Sequence, residues 1–265
     1  MRPYNQRVTD QPAAPTRVER RRTRKRLNVV GVLGELLITG GVLVLLFLGW
    51  QLWFNDIVFG ASQGQAAEEL SEQWEGSTET PDKPAVQPSD SDPVVMDAPK
   101  ENVAFANLIV PRLGVDYKRP IAEGVSTTVL NQSTLGTGHY PSTAMPGGVG
   151  NFALSAHRTA YGGSFHNINQ LVIGDPIFVE TEDGWYKYVF RGLEYVKPNG
   201  VGVILPVPQQ PELQPTQRMI TLTTCNPLLS SAERIIAYGL FDSWYPREGG
   251  APAEISGVAS AAGVR

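Results

Sequence analysis

The chain contains a single cysteine and three histidines, and these are the residues whose types could support nucleophilic chemistry. Cys225 ends the run R-M-I-T-L-T-T-C, whose β-branched residues favour a strand, and Asn226-Pro227 stops that strand directly after the thiol. Because Cys225 is the sole cysteine, it has no disulfide partner within the chain. A thiol at the end of a rigid strand, beside a loop, is positioned to act as a nucleophile.

A cysteine nucleophile needs a nearby imidazole and positive charge, because a thiol is mostly protonated at neutral pH. His157 ends a second strand-like run, G-N-F-A-L-S-A-H, much as Cys225 ends its own. A hairpin-like connection from Asn226 to Glu233 would bring Arg234, at the start of the next strand, back beside Cys225. A guanidinium cannot act as the base, but its donors can hold a substrate carbonyl or a developing oxyanion.

These segments together resemble a known family. The strand T-L-T-T-C, the downstream Arg234 and the upstream segment A-H-R resemble the sortases, the membrane-anchored cysteine transpeptidases of Gram-positive bacteria. The stretch G-H-Y-P that begins at Gly138, with G-N-F from Gly150, is similar to class E, the actinobacterial subgroup. The resemblance covers roughly residues 105–245. Ala156 is one departure, since many members have glycine before the histidine.

The resemblance implies catalytic roles for His157, Cys225 and Arg234, and substrate contacts by Tyr140 and Thr224. It implies an enzyme that cleaves a Leu-Ala-X-Thr-Gly-like sorting signal after threonine and transfers the acyl group to a cell-wall amine through a thioacyl intermediate. No cofactor and no metal are expected. The expected partners are surface proteins that carry the signal and a peptidoglycan precursor amine, and we expect a monomer.

The sequence leaves other functions open. A pilin-polymerising sortase would use the same residues, and a secreted cysteine hydrolase would use the same Cys225–His157 pair with water as the acceptor. A wall-binding ectodomain without activity would keep the fold and not need the three residues. His139 and His166 are the other candidate bases, but no motif assigns either of them to that role.

Short strand-like runs separated by polar turns predict an all-β domain, and a short helix is predicted from Ser126 to Gln132. The resemblance implies a closed eight-stranded β-barrel with short helices, and a core that includes Phe152, Leu154, Ile220 and Leu222. The predicted strands are Asn107–Pro111, Val115–Ile121, Gly150–His157, Asp175–Glu180, Trp185–Tyr195, Met219–Cys225 and Arg234–Trp244.

The N-terminal part of the chain predicts a membrane anchor. Residues 1–28 form a basic tail, and residues 29–54 form an apolar segment in which Leu36 to Phe54 carries no charge. Those residues span about 28 Å as a helix, which is close to the hydrocarbon thickness of a bilayer. The basic tail predicts a cytoplasmic N-terminus and a single-pass protein with its catalytic domain outside the cell membrane. A cleaved signal peptide is the alternative.

The rest of the chain divides by composition. Residues 55–101 contain 11 acidic residues and 2 lysines, which predicts a disordered acidic linker. The catalytic domain is predicted over residues 102–246, followed by a disordered tail over 247–265. The first 28 residues hold 9 of the 22 basic and 2 of the 26 acidic residues, so the remainder carries a net charge of −11. An acidic outer domain argues against nucleic acid as a partner.

Overall fold

The structure is a computed structural model that describes residues 28–50, 54–75 and 87–255. The chain divides into two compact units between Leu45 and Leu46. The helix α1, Val29–Gly49, is long and apolar enough to cross a membrane by its length and composition. The predicted span extended to Phe54, whereas α1 ends at Gly49. The predicted basic tail, apart from its last residue, lies outside the described residues.

The second unit contains a closed barrel of eight strands, which confirms the predicted fold class. The strands close in the order β1-β2-β3-β4-β7-β8-β6-β5, and the pairs β2–β3 and β4–β7 are parallel. The strands are β1 (Ala104–Ile109), β2 (Lys118–Glu123), β3 (Thr137–His139), β4 (Gly150–Ala156), β5 (Pro176–Glu180), β6 (Gly184–Val196), β7 (Arg218–Asn226) and β8 (Glu233–Pro246).

The barrel is filled by side chains from alternate strand positions, as the two-residue period of a strand requires. Phe152 and Leu154 of β4 and Ile220 and Leu222 of β7 are fully buried in one apolar cluster, which confirms the predicted core. Strand β3 was not predicted, because three residues with a central glycine carry almost no strand signal. The predicted short helix is α3, Thr127–Leu130. Within the described residues, 3-10 helices lie at Pro111–Leu113, Ile168–Gln170, Val201–Ile204 and Arg247–Gly249.

The prediction of a disordered linker was wrong for residues 55–75, which form the helix α2 (Asn55–Glu75). This helix packs on β1 and β2, with Gln63, Ala67 and Ser71 buried at successive turns. Composition misled here, because α2 is attached by polar groups and not by an apolar face. The Ser71 hydroxyl donates to buried Glu180 at 2.6 Å.

Residues 87–101 are also attached to the barrel rather than free. The Ser89 amide donates to the Trp244 carbonyl at 2.8 Å, and the Tyr186 hydroxyl donates to the Val94 carbonyl at 2.7 Å. The predicted C-terminal tail begins with an ordered segment, in which Ile255 is 2% exposed and packs in a second apolar cluster. The remainder of that tail, 256–265, lies outside the described residues.

Candidate active site

The candidate site forms where three adjacent strands end at one level. In the β7–β8 pair Cys225 lies directly opposite Arg234. In the parallel β4–β7 pair Ser155 lies opposite Thr223, so His157, two residues further on, comes level with Cys225. Neighbouring strands lie about 4.8 Å apart, so the barrel brings these three residues to adjacent positions.

His157 directly follows β4 and is partly buried. Its Nε2 lies 2.8 Å from Asn131 Oδ1, and its ring packs at 5.1 Å between centroids against the Tyr161 ring. Since the Asn131 oxygen can only accept, Nε2 carries the proton of the neutral ring, and Nδ1 is left to exchange a proton. Among the described residues, Nδ1 has no hydrogen-bond partner. Burial lowers the pKa of His157, and the carboxylate of Asp56 opposes that shift.

Cys225 and Arg234 are both partly exposed, so a substrate can reach them. The Arg234 guanidinium donates through Nη1 to the carbonyls of Ser231 and Glu233, at 3.0 and 2.9 Å. These two carbonyls fix one edge of the guanidinium, and the part of the chain that the structure describes leaves its other donors for a ligand. The site therefore combines a thiol, an imidazole with one free nitrogen and a guanidinium.

The neighbours of the three residues form a hydrogen-bonded chain that the sequence analysis did not identify. Arg158 is 6% exposed and donates to Asn226 Oδ1, and Asn226 Nδ2 donates to Glu233 Oε2 at 3.1 Å. In the chain, Arg158 follows His157, Asn226 follows Cys225, and Glu233 precedes Arg234. The chain therefore ties together the ends of β4, β7 and β8. The available signal in the sequence was the arginine that directly follows His157 in the segment A-H-R.

Tyr140, for which the sequence predicts a substrate contact, lies beside the site. Its hydroxyl is 3.1 Å from Thr223 Oγ1, and Thr223 donates its own proton to the Leu154 carbonyl at 3.1 Å. Tyr140 therefore donates to Thr223, and the lone pairs of its oxygen remain free to accept. The phenol is partly exposed.

Thr224 is not placed for the substrate contact that the sequence predicted. Its side chain is 3% exposed, and its hydroxyl donates to the Ala156 carbonyl at 2.7 Å. At alternate positions of β7, Thr224 is on the face opposite Cys225, so its hydroxyl joins β7 to β4 beneath the site.

The other two histidines serve the structure around the site. His139 is fully buried, and its Nδ1 lies 2.6 Å from Glu123 Oε2. Its Nε2 lies 2.8 Å from Thr143 Oγ1 and 3.1 Å from the Ala144 carbonyl, so both ring nitrogens are occupied. His166 is exposed and its Nδ1 lies 3.1 Å from the Arg158 carbonyl. Among the described residues there is no group of three or more His, Cys, Asp or Glu side chains that could hold a metal ion.

Comparison with known proteins gives concordant results. Residues 108–241 match the sortase domain model. The chain is 38% identical over 255 residues to Sortase SrtE1 of Streptomyces coelicolor, covering 91% of this chain and 67% of the relative.

Two solved structures are similar as well. A SrtA sortase from Actinomyces oris aligns with a TM-score of 0.60 and 40% identity, covering 64% of this chain and 97% of that one. A Sortase E1 structure from S. coelicolor with a tripeptide in its active site aligns with a TM-score of 0.52 and 40% identity, covering 60% and 98%. The class E resemblance drawn from the sequence is thus confirmed.

Proposed function

Since this chain belongs to the sortase family of cysteine transpeptidases, we propose that it cleaves a C-terminal sorting signal of the Leu-Ala-X-Thr-Gly type and joins the new C-terminus to a cell-wall amine. One observation carries the proposal. The ends of β4, β7 and β8 place His157, Cys225 and Arg234 side by side on partly exposed positions. Thiol, imidazole and guanidinium are the groups that acyl transfer through a thioester needs.

In the first half of the reaction the Cys225 thiolate attacks the threonine carbonyl, and a carbon–sulfur bond forms. The free donors of Arg234 stabilise the negative charge on the carbonyl oxygen. The bond from threonine to the next residue then breaks, and the protonated His157 gives its proton, through Nδ1, to the leaving amine. The product is a thioacyl enzyme with His157 neutral.

In the second half an amine replaces water as the acceptor. The amine attacks the thioester carbonyl, its proton passes to His157 Nδ1, and the carbon–sulfur bond breaks to release the Cys225 thiolate. A peptide bond has then been exchanged for an amide bond with no net oxidation or reduction. Having given up its proton in the first half, His157 is neutral at this stage, and burial, which lowers its pKa, favours this proton-accepting form.

Preference for alanine at the second position of the signal follows from Tyr140. Its hydroxyl proton is used on Thr223, so the oxygen can accept but has nothing left to donate. An alanine supplies an amide N–H to this oxygen, whereas proline has none. The Tyr140 hydroxyl therefore favours Leu-Ala-X-Thr-Gly over Leu-Pro-X-Thr-Gly.

We further propose that α1 anchors the protein in the cell membrane with the catalytic domain outside. The support is the length and apolar character of α1 and the basic residues that precede it in the sequence. Protease added to intact cells should cut the catalytic domain and leave the N-terminus protected. A mature protein that lacks α1 would contradict the anchor.

The transfer reaction is tested with a Leu-Ala-X-Thr-Gly peptide and an added amine. Wild-type protein should form an amide product whose amount rises with the amine concentration, and Cys225→Ala should form neither this product nor the cleaved peptide. Cleavage that ignores the amine would identify a hydrolase. Turnover by Cys225→Ala would exclude the thioacyl mechanism.

A further inference from the structure

A buried glutamine of α2 joins this helix to the active-site end of the barrel. Gln63 is fully buried although its side chain is polar. Its Nε2 donates to the Gln132 carbonyl at 3.2 Å and to the Tyr161 carbonyl at 2.9 Å, and its Oε1 accepts from the Ser164 hydroxyl at 3.2 Å. The side-chain amide of Gln63 thus makes three hydrogen bonds, and these bonds reach two separate loops.

These two loops carry Asn131 and Tyr161, which contact the His157 ring. Asn131, which accepts from His157 Nε2, directly precedes Gln132. Tyr161, whose ring packs on the imidazole, gives its own carbonyl to Gln63. One side-chain amide therefore fixes the spacing between the group that orients the imidazole edge and the group that covers its face.

The loop beyond His157 has a backbone that needs support from outside. Ala160 and Tyr161 have φ values of 66° and 51°, in the left-handed region that non-glycine residues rarely adopt. The Asp56 carboxylate, also on α2, accepts from the backbone N–H groups of Ala160 and Gly162 at 2.9 and 3.3 Å. Such conformations persist only where surrounding contacts impose them. Here α2 provides those contacts.

The fit around the glutamine amide is close on both sides. A Cβ atom on Gly162 would lie 2.7 Å from Gln63 Oε1, and a Cβ atom on Gly136 would overlap Gln63 Nε2. Glycine at these positions leaves the space that the amide occupies.

We propose that Gln63 is a positioning residue for His157, so that α2 is a working part of the active site. Gln63 does not touch the reacting atoms and acts through Asn131 and Tyr161. The role rests on the proposed function, in which His157 exchanges a proton with the substrate amines through its Nδ1. α2 lies outside residues 108–241, so no part of the sortase domain match includes it.

The test compares Gln63→Met with Gln65→Met in the full-length protein. Methionine keeps the length of the side chain and removes all three hydrogen bonds. Gln65 is the matched control, because it is exposed on the same helix and its side chain donates to Glu69 of that helix, at 2.9 Å. In Gln63→Met we expect kcat to fall about ten- to a hundredfold, with KM changed less than about threefold, because misplacing a catalytic group affects chemistry more than binding. Gln65→Met should match wild type.

Histidine NMR signals of the same proteins give a reading that does not need turnover. The His157 imidazole signals should shift in Gln63→Met, because the ring moves relative to Tyr161, while those of His139, held by Glu123, should stay. Unchanged kcat and unchanged His157 signals in Gln63→Met would overturn the positioning role and leave the proposed function intact. Absent turnover in wild type, together with the shifted signals, would instead contradict the proposed function.

A second variant covers the case in which Gln63→Met fails to fold. Gln63→Glu keeps the shape and the acceptor for Ser164, and loses both donors. We expect the same fall in kcat, with folding confirmed by an unchanged His139 signal. Wild-type kcat in Gln63→Glu would overturn the proposal, since the two donated bonds would then have no part in placing His157.

Discussion

Two histidines lie at opposite ends of the antiparallel pair β3–β4, and their surroundings differ. The ring of His139 is fully buried between a carboxylate on one nitrogen and a carbonyl and a hydroxyl on the other. The ring of His157 is partly exposed and has a neutral amide on one nitrogen. A histidine whose two nitrogens are both occupied fixes the backbone around it, whereas a histidine with one free nitrogen can exchange a proton. The difference supports a structural role for His139 and the catalytic role that we propose for His157, without any reference to motifs.

Of the two histidines, His157 is the one proposed to be catalytic, and His157→Ala is expected to have the largest effect on activity. Loss of a general acid and base lowers kcat/KM by about a hundred- to ten-thousandfold. The free energy of unfolding should change little, because the ring is at the surface of the site. Peptide turnover and urea unfolding measure the two quantities. Turnover close to wild type would give the catalytic role to another group.

His139→Ala should produce the reverse pattern. The substitution leaves the buried Glu123 carboxylate without its partner, which costs about 3–5 kcal/mol of the free energy of unfolding. The folded fraction should keep a bell-shaped dependence of kcat/KM on pH, since His157 remains. A variant that is as stable as wild type but inactive would invert the assignment of the two histidines.

Tyr140→Phe tests whether Tyr140, the residue that follows His139 in the chain, contacts the substrate. We expect the preference for a Leu-Ala-X-Thr-Gly over a Leu-Pro-X-Thr-Gly peptide to fall about tenfold in kcat/KM, the size of one hydrogen bond to a substrate group. The ring and its packing remain. Thr143→Val, which alters the same turn without removing the phenol, is the control and should leave the ratio as in wild type. Equal ratios in wild type and Tyr140→Phe would remove the hydrogen bond from the account.

The smallest effect is a pH-dependence of stability. Because burial lowers the pKa of His157 in the folded protein, the unfolded chain binds more protons just below pH 6.5, the ordinary histidine pKa. The contribution of His157 is therefore complete above that pH and is lost as the pH falls through its folded pKa. Relative to His157→Gln, wild type should gain stability as the pH rises through this window. Urea unfolding at a series of pH values measures it, and an opposite slope would contradict the lowered pKa.

Local sequence patterns predicted the buried faces of strands and the positions where strands end. The alternation in β4 and β7 placed Phe152 and Leu222 in the core, and the stop at Asn226-Pro227 placed Cys225 at a strand end. Contacts between distant residues determine the closure of the barrel and the parallel pairing of β4 with β7. That pairing in turn brings His157 to the same height as Cys225. No single segment encodes these contacts; the family resemblance implied the closed barrel, and the parallel pairing is seen only in the structure.

The errors have physical causes too. The resemblance implied a substrate contact for Thr224, but the two-residue period of β7 turns its hydroxyl towards Ala156. The acidic composition of residues 55–75 hid α2, because a helix that buries Gln63 and Ser71 shows no apolar stripe. The hydrogen-bond partners of Gln63 lie in loops about 70 to 100 positions away in the sequence, as its bonds to Gln132 and Tyr161 illustrate.

The polar attachment of α2 also limits how the helix can move. An apolar face tolerates sliding, because one aliphatic side chain can replace another at the next turn. A slip of α2 by one turn, about 5.4 Å, would put Ala67 in the place of Gln63. The carbonyls of Gln132 and Tyr161 would then lose the donor that they share. Intermediate placements are therefore unfavourable, and any movement of α2 on the barrel should be an exchange between a seated and a detached state rather than a gradual shift.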